Sequence, residues 1–473
     1  MQIQYMPGSD ALAALAAVRG RPFGDDTRVI GTGAVVPTRF KVGETVAAVL
    51  AATARIVADI VAARGGPTQD VSCRADLAAA TLMAGSFTEL DNGRGGFRPA
   101  EKDAAALLAR QVTRPWPTRD GGHVLPHLSL PHLQARVLGL LGCDLSPEAV
   151  AQAVAAWNAA ELEEAIAAAR ACGGMARTRA EWRAHPHGSI LAARPVISIE
   201  RIGDAPPEPV PGGARPLSGL RVLDLTRILA GPVAARTLAE HGADVLMVAA
   251  PHVPQVEDFV RDTSQGKRSC FLDLRLPAER ARLRELVREA DVFSQGYRPG
   301  VMAAHGLSPS DLAELRPGIV YLSVSCYGHG GPLSDRAGWE QVAQTVTGMA
   351  TEHGEEFAED GRPTLVPVPV CDYTTGYLGA LGLLMALEKR AEVGGSWHVQ
   401  VSLCRSSMFL QDLGLADAPG TGIEPARVAP FMVETDGGRG RLRYLGPVVD
   451  MPATPAAWDR QSPELGADRA AWL

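Results

Sequence analysis

Residues 215–251 read RPLSGLRVLDLTRILAGPVAARTLAEHGADVLMVAAP, and this stretch decides the fold. Arg221 to Leu225 is a short apolar run of strand length. Gly231-Pro232 breaks the chain before a helical pattern at Val233, Ala234, Leu238 and Ala239, which Gly242 ends. Asp244 to Val248 supplies a second buried strand, so the unit reads as a right-handed parallel βαβ crossover. Such a unit places a ligand beyond the carboxyl ends of its strands, here at Thr226 to Pro232, where helix amides can meet an anion. A nicotinamide site would need a GxGxxG turn and an acid after the second strand. The turn is absent, and the strand ends Val248-Ala249-Ala250.

Working outward, further strands are expected at Ser269–Leu274, Asp291–Ser294 and Ile319–Ser325, with helices at 277–290 and 311–315 between them. This alternation predicts an α/β fold, a doubly wound parallel sheet. Upstream, Met1 to about Phe40 is weakly patterned. Helices are expected at 46–63, 76–83 with Asp76 at its start, 102–111 and 131–141. A long helix begins at Ser146-Pro147 and runs toward Trp157, and its pattern continues over 162–171 until Gly173-Gly174. A short helix follows from Arg177. The cluster Asp91 to Gly96 reads as a solvent turn or as a loop able to close over a ligand. Ala205 to Gly213, with prolines at 206, 207, 209 and 211, is the best linker in the sequence.

The net charge of −7 and 5% aromatic content, without a basic run, exclude a nucleic-acid footprint. Seven scattered cysteines show neither CxxC pairing nor metal spacing, which fits reduced thiols and a cytoplasmic setting with no metal. The patch Ala11–Val18 lacks a preceding basic region and is not expected to be a secretory signal. No stretch reads as a membrane span.

Two carboxylates stand out. Glu340 lies in AGWEQVAQTVTG near a helix start, and Asp372 in VPVPVCDYTTGYLGAL, where an apolar extended run meets a long helix. Asp372 reads either as a nucleophile, kept ionised by the amides and dipole of a helix beginning at Tyr373, or as that helix's cap. Glu340 reads likewise as a first-turn acid.

From Pro216 to about Leu410 the chain resembles the class III CoA-transferases, the family that includes carnitine-CoA transferase, formyl-CoA transferase and the 2-methylacyl-CoA racemases. The resemblance is carried by PLSGLRVLDLTRILAGP (216–232), GADVLMV (242–248), KRSCFLDLR (267–275) and DVFSQGYRPG (291–300). It continues in YLSVSCYGHGGP (321–332), GWEQVAQTVTG (338–348), the Asp372 junction and WHVQVSL (397–403).

The resemblance implies a Rossmann-like CoA-binding core with a second, smaller α+β domain, and coenzyme A entering as an acyl-CoA substrate. It implies Asp372 as the nucleophile, passing through a mixed anhydride and an aspartyl-CoA thioester, and Glu340 as the assisting acid. Gly328, Gly330 and Gly331 become the oxyanion loop. Ala230, Gly231, Leu272, Arg275 and Tyr297 map onto CoA contacts, with Arg261 toward the nucleotide phosphates. Arg261 and Arg275 also read as ordinary surface charge. The partners implied are a small-molecule acyl-CoA and a carboxylic acid, in a homodimer that is interlocked in the family, or in a pseudo-dimeric monomer.

Racemase members carry a histidine where this chain has Trp339, so a transferase is favoured over a 2-methylacyl-CoA racemase or epimerase, which stays an alternative beside a non-catalytic CoA-thioester-binding subunit. The family's glutamate and asparagine are Ala249 and Gly296 here. Leu229 replaces the glutamine of formyl-CoA transferase, pointing away from the oxalate–formyl pair. Residues 1–205 resemble the later half of a family repeat, through RDGGHV near 119, the 178–182 helix and Pro195-Val196-Ile197. The end, GPVVDMPATPAAWDRQSPELGAD, resembles a family C-terminus. The expected organisation is therefore a rearranged tandem: a small-domain-like segment 1–205, a linker 206–214, a catalytic core 215–410, and a tail 411–473 returning to the core.

Overall fold

The computed structural model describes residues 5–6, 10–100, 104–253 and 255–473. Its central sheet contains β1 (Ser198–Gly203), β2 (Arg221–Leu225), β3 (Asp244–Ala249), β4 (Arg268–Phe271), β5 (Val292–Gln295), β6 (Val320–Ser325) and β7 (Ser396–Ser402). Their order is β4-β3-β2-β5-β6-β7-β1, parallel throughout except for β1, which runs antiparallel to β7. The expected α/β fold with a doubly wound parallel sheet is present. Strand order reverses between β2 and β5, the topological switch at which such sheets open a crevice beyond their carboxyl ends.

The inner strands are buried on both faces because helices cover both. Six helices surround the carboxyl ends of these strands or pack behind them: α1 (Val42–Ala63), α2 (Pro186–Ala192), α3 (Ala230–Ala239), α4 (Glu340–Val346), α5 (Val370–Val393) and α6 (Leu403–Asp412). One face packs Val222, Val292 and Leu322 against α3 and α5, and α1 packs on the outer side of this layer against α5. The other packs Leu223, Leu246 and Phe293 against Leu283, Leu286 and Leu312 of the helices Pro277–Val287 and Pro309–Leu315.

Two small sheets knit the start of the chain to its end. Thr27–Ile30 pairs in parallel with Val71–Arg74, which pairs antiparallel with Val449–Asp450. Glu89–Asp91 and Phe97–Pro99 form a hairpin whose first strand pairs with Gly440–Leu445. A third sheet joins Trp116–Pro117, His123–Pro126 and Gly173–Met175. The strand β1, although upstream of the proline-rich linker, completes the core sheet.

Several local expectations are corrected. The weakly patterned start holds a helix, Asp10–Arg19, and the strand Thr27–Ile30. The expected span from Ser146 breaks into Pro147–Val154 and Ala159–Ala168, and Gly173-Gly174 is a strand rather than a stop. Helix Ala75–Thr81 begins one residue before Asp76, whose carboxylate pairs with Arg74 and Arg427. Of the helix expected over 102–111, Ala104–Val112 is observed, and Lys102 lies outside the described residues. Asp91 to Gly96 is an exposed hairpin turn closed by the Asn92 amide oxygen on the Arg94 and Gly96 N–H groups. Two helices, α1 and α5, are by length and composition able to cross a membrane, against the expectation of none. Their apolar faces are buried against each other, with α5 also packed on the central sheet and α1 on the small sheet of Thr27–Ile30 and Val71–Arg74.

Candidate active site

Asp372 belongs to the first turn of α5. That helix begins at Val370, three residues before the expected Tyr373, because Pro369 can sit at the cap and end the extended run. A helix head carries amides with no intrahelical partner. Here they are taken by Glu340, the first residue of α4. Its Oε1 accepts the Cys371 N–H at 3.1 Å, and its Oε2 accepts the Asp372 N–H at 2.6 Å. Gln344, one turn along α4, donates to Glu340 Oε1 at 2.7 Å and accepts the Val366 N–H at 2.8 Å, tying the extended run to the same helix.

The Asp372 carboxylate, by contrast, receives no hydrogen bond or ion pair among the described residues. Both acids are buried, Glu340 at 4% and Asp372 at 7% exposure. Burial and the neighbouring Glu340 charge hold the Asp372 carboxyl well above the usual carboxylate range. Burial raises Glu340 as well, against the lowering effect of its Gln344 and amide donors. This corrects the expected electrostatics: the helix amides stabilise Glu340 as the ion, and the pair resists a second negative charge on Asp372. The thiols of Cys326 and Cys371 beside the pair are pushed up by burial and stay neutral.

Gly376 lies four residues beyond Asp372 on the same face of α5. A Cβ there would stand 2.5 Å from the Ala230 carbonyl oxygen and 2.6 Å from Val233 Cβ. Only glycine lets α5 approach α3 this closely, and the approach brings α5, one turn beyond Asp372, against the head of α3, where Ala230 and Gly231 were expected to meet CoA. Ile228 in that turn has φ +73°, a left-handed conformation costly for a β-branched residue. The turn is clamped from below. Lys267 Nζ, fully buried, donates to Asp224 Oδ2 and to the Pro232 carbonyl, both at 2.8 Å. Asp224 Oδ1 accepts the Thr226 N–H at 3.0 Å and the Ser294 hydroxyl at 3.2 Å.

The other expected contacts are distributed unevenly. Leu272 is buried in the sheet core, and Tyr297 is half-buried past β5, its N–H on Gln295 Oε1 at 2.8 Å. Arg261 is engaged by Glu257 at 3.3 Å and Asp258 at 3.0 Å on its own helix. Arg275 is exposed and gripped by Asp273 at 2.6 Å. Both guanidiniums thus carry local carboxylates. Gly328 and Gly330 adopt left-handed backbone, φ +76° and +84°, in the loop that follows β6.

Sequence reasoning missed the Lys267–Asp224 pair and two histidines of the first segment. His127 stacks on Trp339, next to Glu340, at 5.4 Å between ring centroids, and His187 reaches the glycine loop. Lys267 stands inside a quoted motif, but its partner is distant in sequence. Nothing local marked either histidine. Among the described residues no cluster of His, Cys, Asp or Glu is arranged to hold a metal ion.

Residues 217–431 match the family described as CoA-transferase family III. An acetyl-coenzyme A transferase of Hypoxylon pulicicidum is 29% identical over 407 residues, covering 78% of this chain and 68% of the relative. An acyl-CoA transferase of Gibberella moniliformis is 32% identical, covering 59% and 52% respectively. A succinate–glutarate CoA-transferase of Agrobacterium fabrum is 34% identical, covering 41% and 52%. The chain therefore spans between about half and two thirds of the length of these relatives, from 52% to 68%.

Proposed function

We propose, from the membership of residues 217–431 in CoA-transferase family III, that this chain moves coenzyme A from an acyl-CoA to a carboxylic acid through Asp372. The observation that carries this reading is the division of labour at the head of α5. Glu340 absorbs the amide donors, and the Asp372 carboxylate is left without a partner among the described residues, one helical turn before Gly376 meets Ala230. A carboxylate held by no donor keeps its lone pairs for a carbonyl carbon, and burial strips the water that would otherwise blunt it.

In the proposed sequence an Asp372 oxygen attacks the thioester carbonyl and the CoA thiolate leaves, giving an acyl–aspartyl anhydride. The thiolate attacks the aspartyl carbonyl and the acyl group departs as its carboxylate, leaving an aspartyl-CoA thioester. The acceptor carboxylate attacks that thioester, forming a new anhydride and releasing thiolate. Attack of the thiolate on the acceptor's acyl carbon gives the new acyl-CoA and regenerates Asp372. Each step exchanges one acyl bond for another, which is why a single carboxylate can carry both halves. Amides of the loop Gly328 to Gly331 are the proposed donors to the developing oxyanion.

The test is chemical trapping. Incubation with acyl-CoA and hydroxylamine, followed by peptide mapping, is expected to place a hydroxamate on Asp372. Modification elsewhere, or full turnover in Asp372→Asn, removes the proposal. The same experiment decides against a non-catalytic CoA-binding role if label appears.

A further inference from the structure

The loop after β6, Tyr327 to Leu333, is closed at its base by a side chain from the first segment. His187, in the first turn of α2, is fully buried, at 0% exposure. Its Nδ1 accepts the Leu333 N–H at 3.1 Å, and its Nε2 lies 2.6 Å from the Tyr327 carbonyl oxygen. A backbone N–H can only donate, so Nδ1 carries no proton and Nε2–H is the donor to Tyr327. Burial also lowers the imidazole's proton affinity. One neutral ring therefore spans both ends of the loop.

The fit is tight along the loop's length. A Cβ on Gly331 would stand 2.1 Å from His187 Nδ1, one on Gly330 2.8 Å from Arg194 Nη2, and one on Gly328 2.9 Å from Leu191 Cδ2. All three glycines thus lie against α2 and the residues just after it. The Tyr327 ring meets the imidazole edge-on at 5.7 Å between centroids. Behind it, Trp182 packs on His185 and His187 at 5.7 and 5.9 Å, and its indole N–H reaches Met408 Sδ of α6 at 3.3 Å. The clasp is therefore anchored in the core rather than free to drift with its own segment.

We propose that His187 is a positioning residue which clips the glycine loop into the shape that presents its amides to the reacting carbonyl, so that the first segment completes the active site of the core. This rests on the transferase reading above. Such a residue acts where charge develops in the transition state, so its loss lowers kcat and leaves KM for acyl-CoA near its original value.

The test compares the full-length chain with His187→Phe, which removes both hydrogen bonds, and with two variants that each remove one. His187→Gln keeps a donor for Tyr327, and His187→Asn keeps an acceptor for Leu333. Amide hydrogen exchange across 327–333 is expected to rise in His187→Phe and less in the other two. Its kcat is expected to fall by about 100-fold, the loss typical of a 1 Å misplacement, with KM within twofold and the single-bond variants between. Unchanged exchange in the loop overturns the clasp, and faster exchange with unchanged kcat overturns its role in turnover. Should His187→Phe fail to fold, Gly331→Ala drives the same contact apart from the loop side, with the same outcomes. The exchange readout needs no turnover, so failure of the clasp is distinguishable from failure of Asp372 to trap hydroxylamine.

Discussion

The Glu340 carboxylate accepts the backbone N–H of Asp372 at 2.6 Å, while the Asp372 carboxylate accepts nothing among the described residues. Two acids at one helix head therefore have unequal fates. Three donors offset part of the burial that raises the Glu340 carboxyl, whereas burial and the Glu340 charge both raise Asp372 with no donor against them among the described residues.

Asp372→Asn is expected to abolish CoA transfer by ~10³-fold or more, as removal of a nucleophile does. The same change is expected to stabilise the protein. A carboxyl whose pKa is raised on folding contributes its stability below its unfolded value and loses it as pH rises through the folded one. The gain in melting temperature over the parent should therefore grow as the pH is raised from about 5 to about 8. Equal or lower stability at the upper end would count against the electrostatics described.

Glu340→Gln is expected to move the acid limb of the kcat/KM profile to lower pH. Asp372 must be ionised to attack, so activity is lost as pH falls through its pKa. The Glu340 charge raises that pKa, and an amide does not. A limb that stays in place or moves upward contradicts the coupling.

Lys267→Met leaves Asp224 charged and buried beneath the first βα turn. The expected cost is about 3–5 kcal/mol, read by denaturant unfolding. Adding Asp224→Asn should return a large part of it, since the stranded charge is then gone. A single-variant loss below ~1 kcal/mol, the range of exposed pairs, would show that the clamp at 2.8 Å is solvated after all.

Gly376→Ala inserts a methyl between α5 and α3, where 2.5 Å separates it from the Ala230 oxygen. Overpacking of this kind costs about 1–3 kcal/mol. The displaced turn should also raise KM for acyl-CoA. Unaltered KM at reduced stability would detach the Ala230–Gly231 turn from CoA binding.

By itself the sequence determined the layered part of this protein. The runs 221–225, 244–249 and 320–325 are mostly apolar without strict alternation, and helices punctuated by glycine and proline separate them from one another and from the shorter run at 292–295. Such local patterns are sufficient for a parallel sheet, because strand burial and helix termination are written within a few residues of where they act. The two carboxylates were legible as residues, and their family likeness assigned them roles. Tertiary structure alone decided which acid receives the helix amides, because that depends on α4 meeting α5, elements thirty residues apart. It also decided that Lys267 answers Asp224, that Val449–Asp450 joins the sheet containing Thr27–Ile30 and Val71–Arg74, and that His187 closes a glycine loop 140 residues downstream. Hydrogen bonds and buried charges of this kind join chemically ordinary residues across long separations. Their strength comes from exclusion of water at a shared interior, which no local stretch of sequence records.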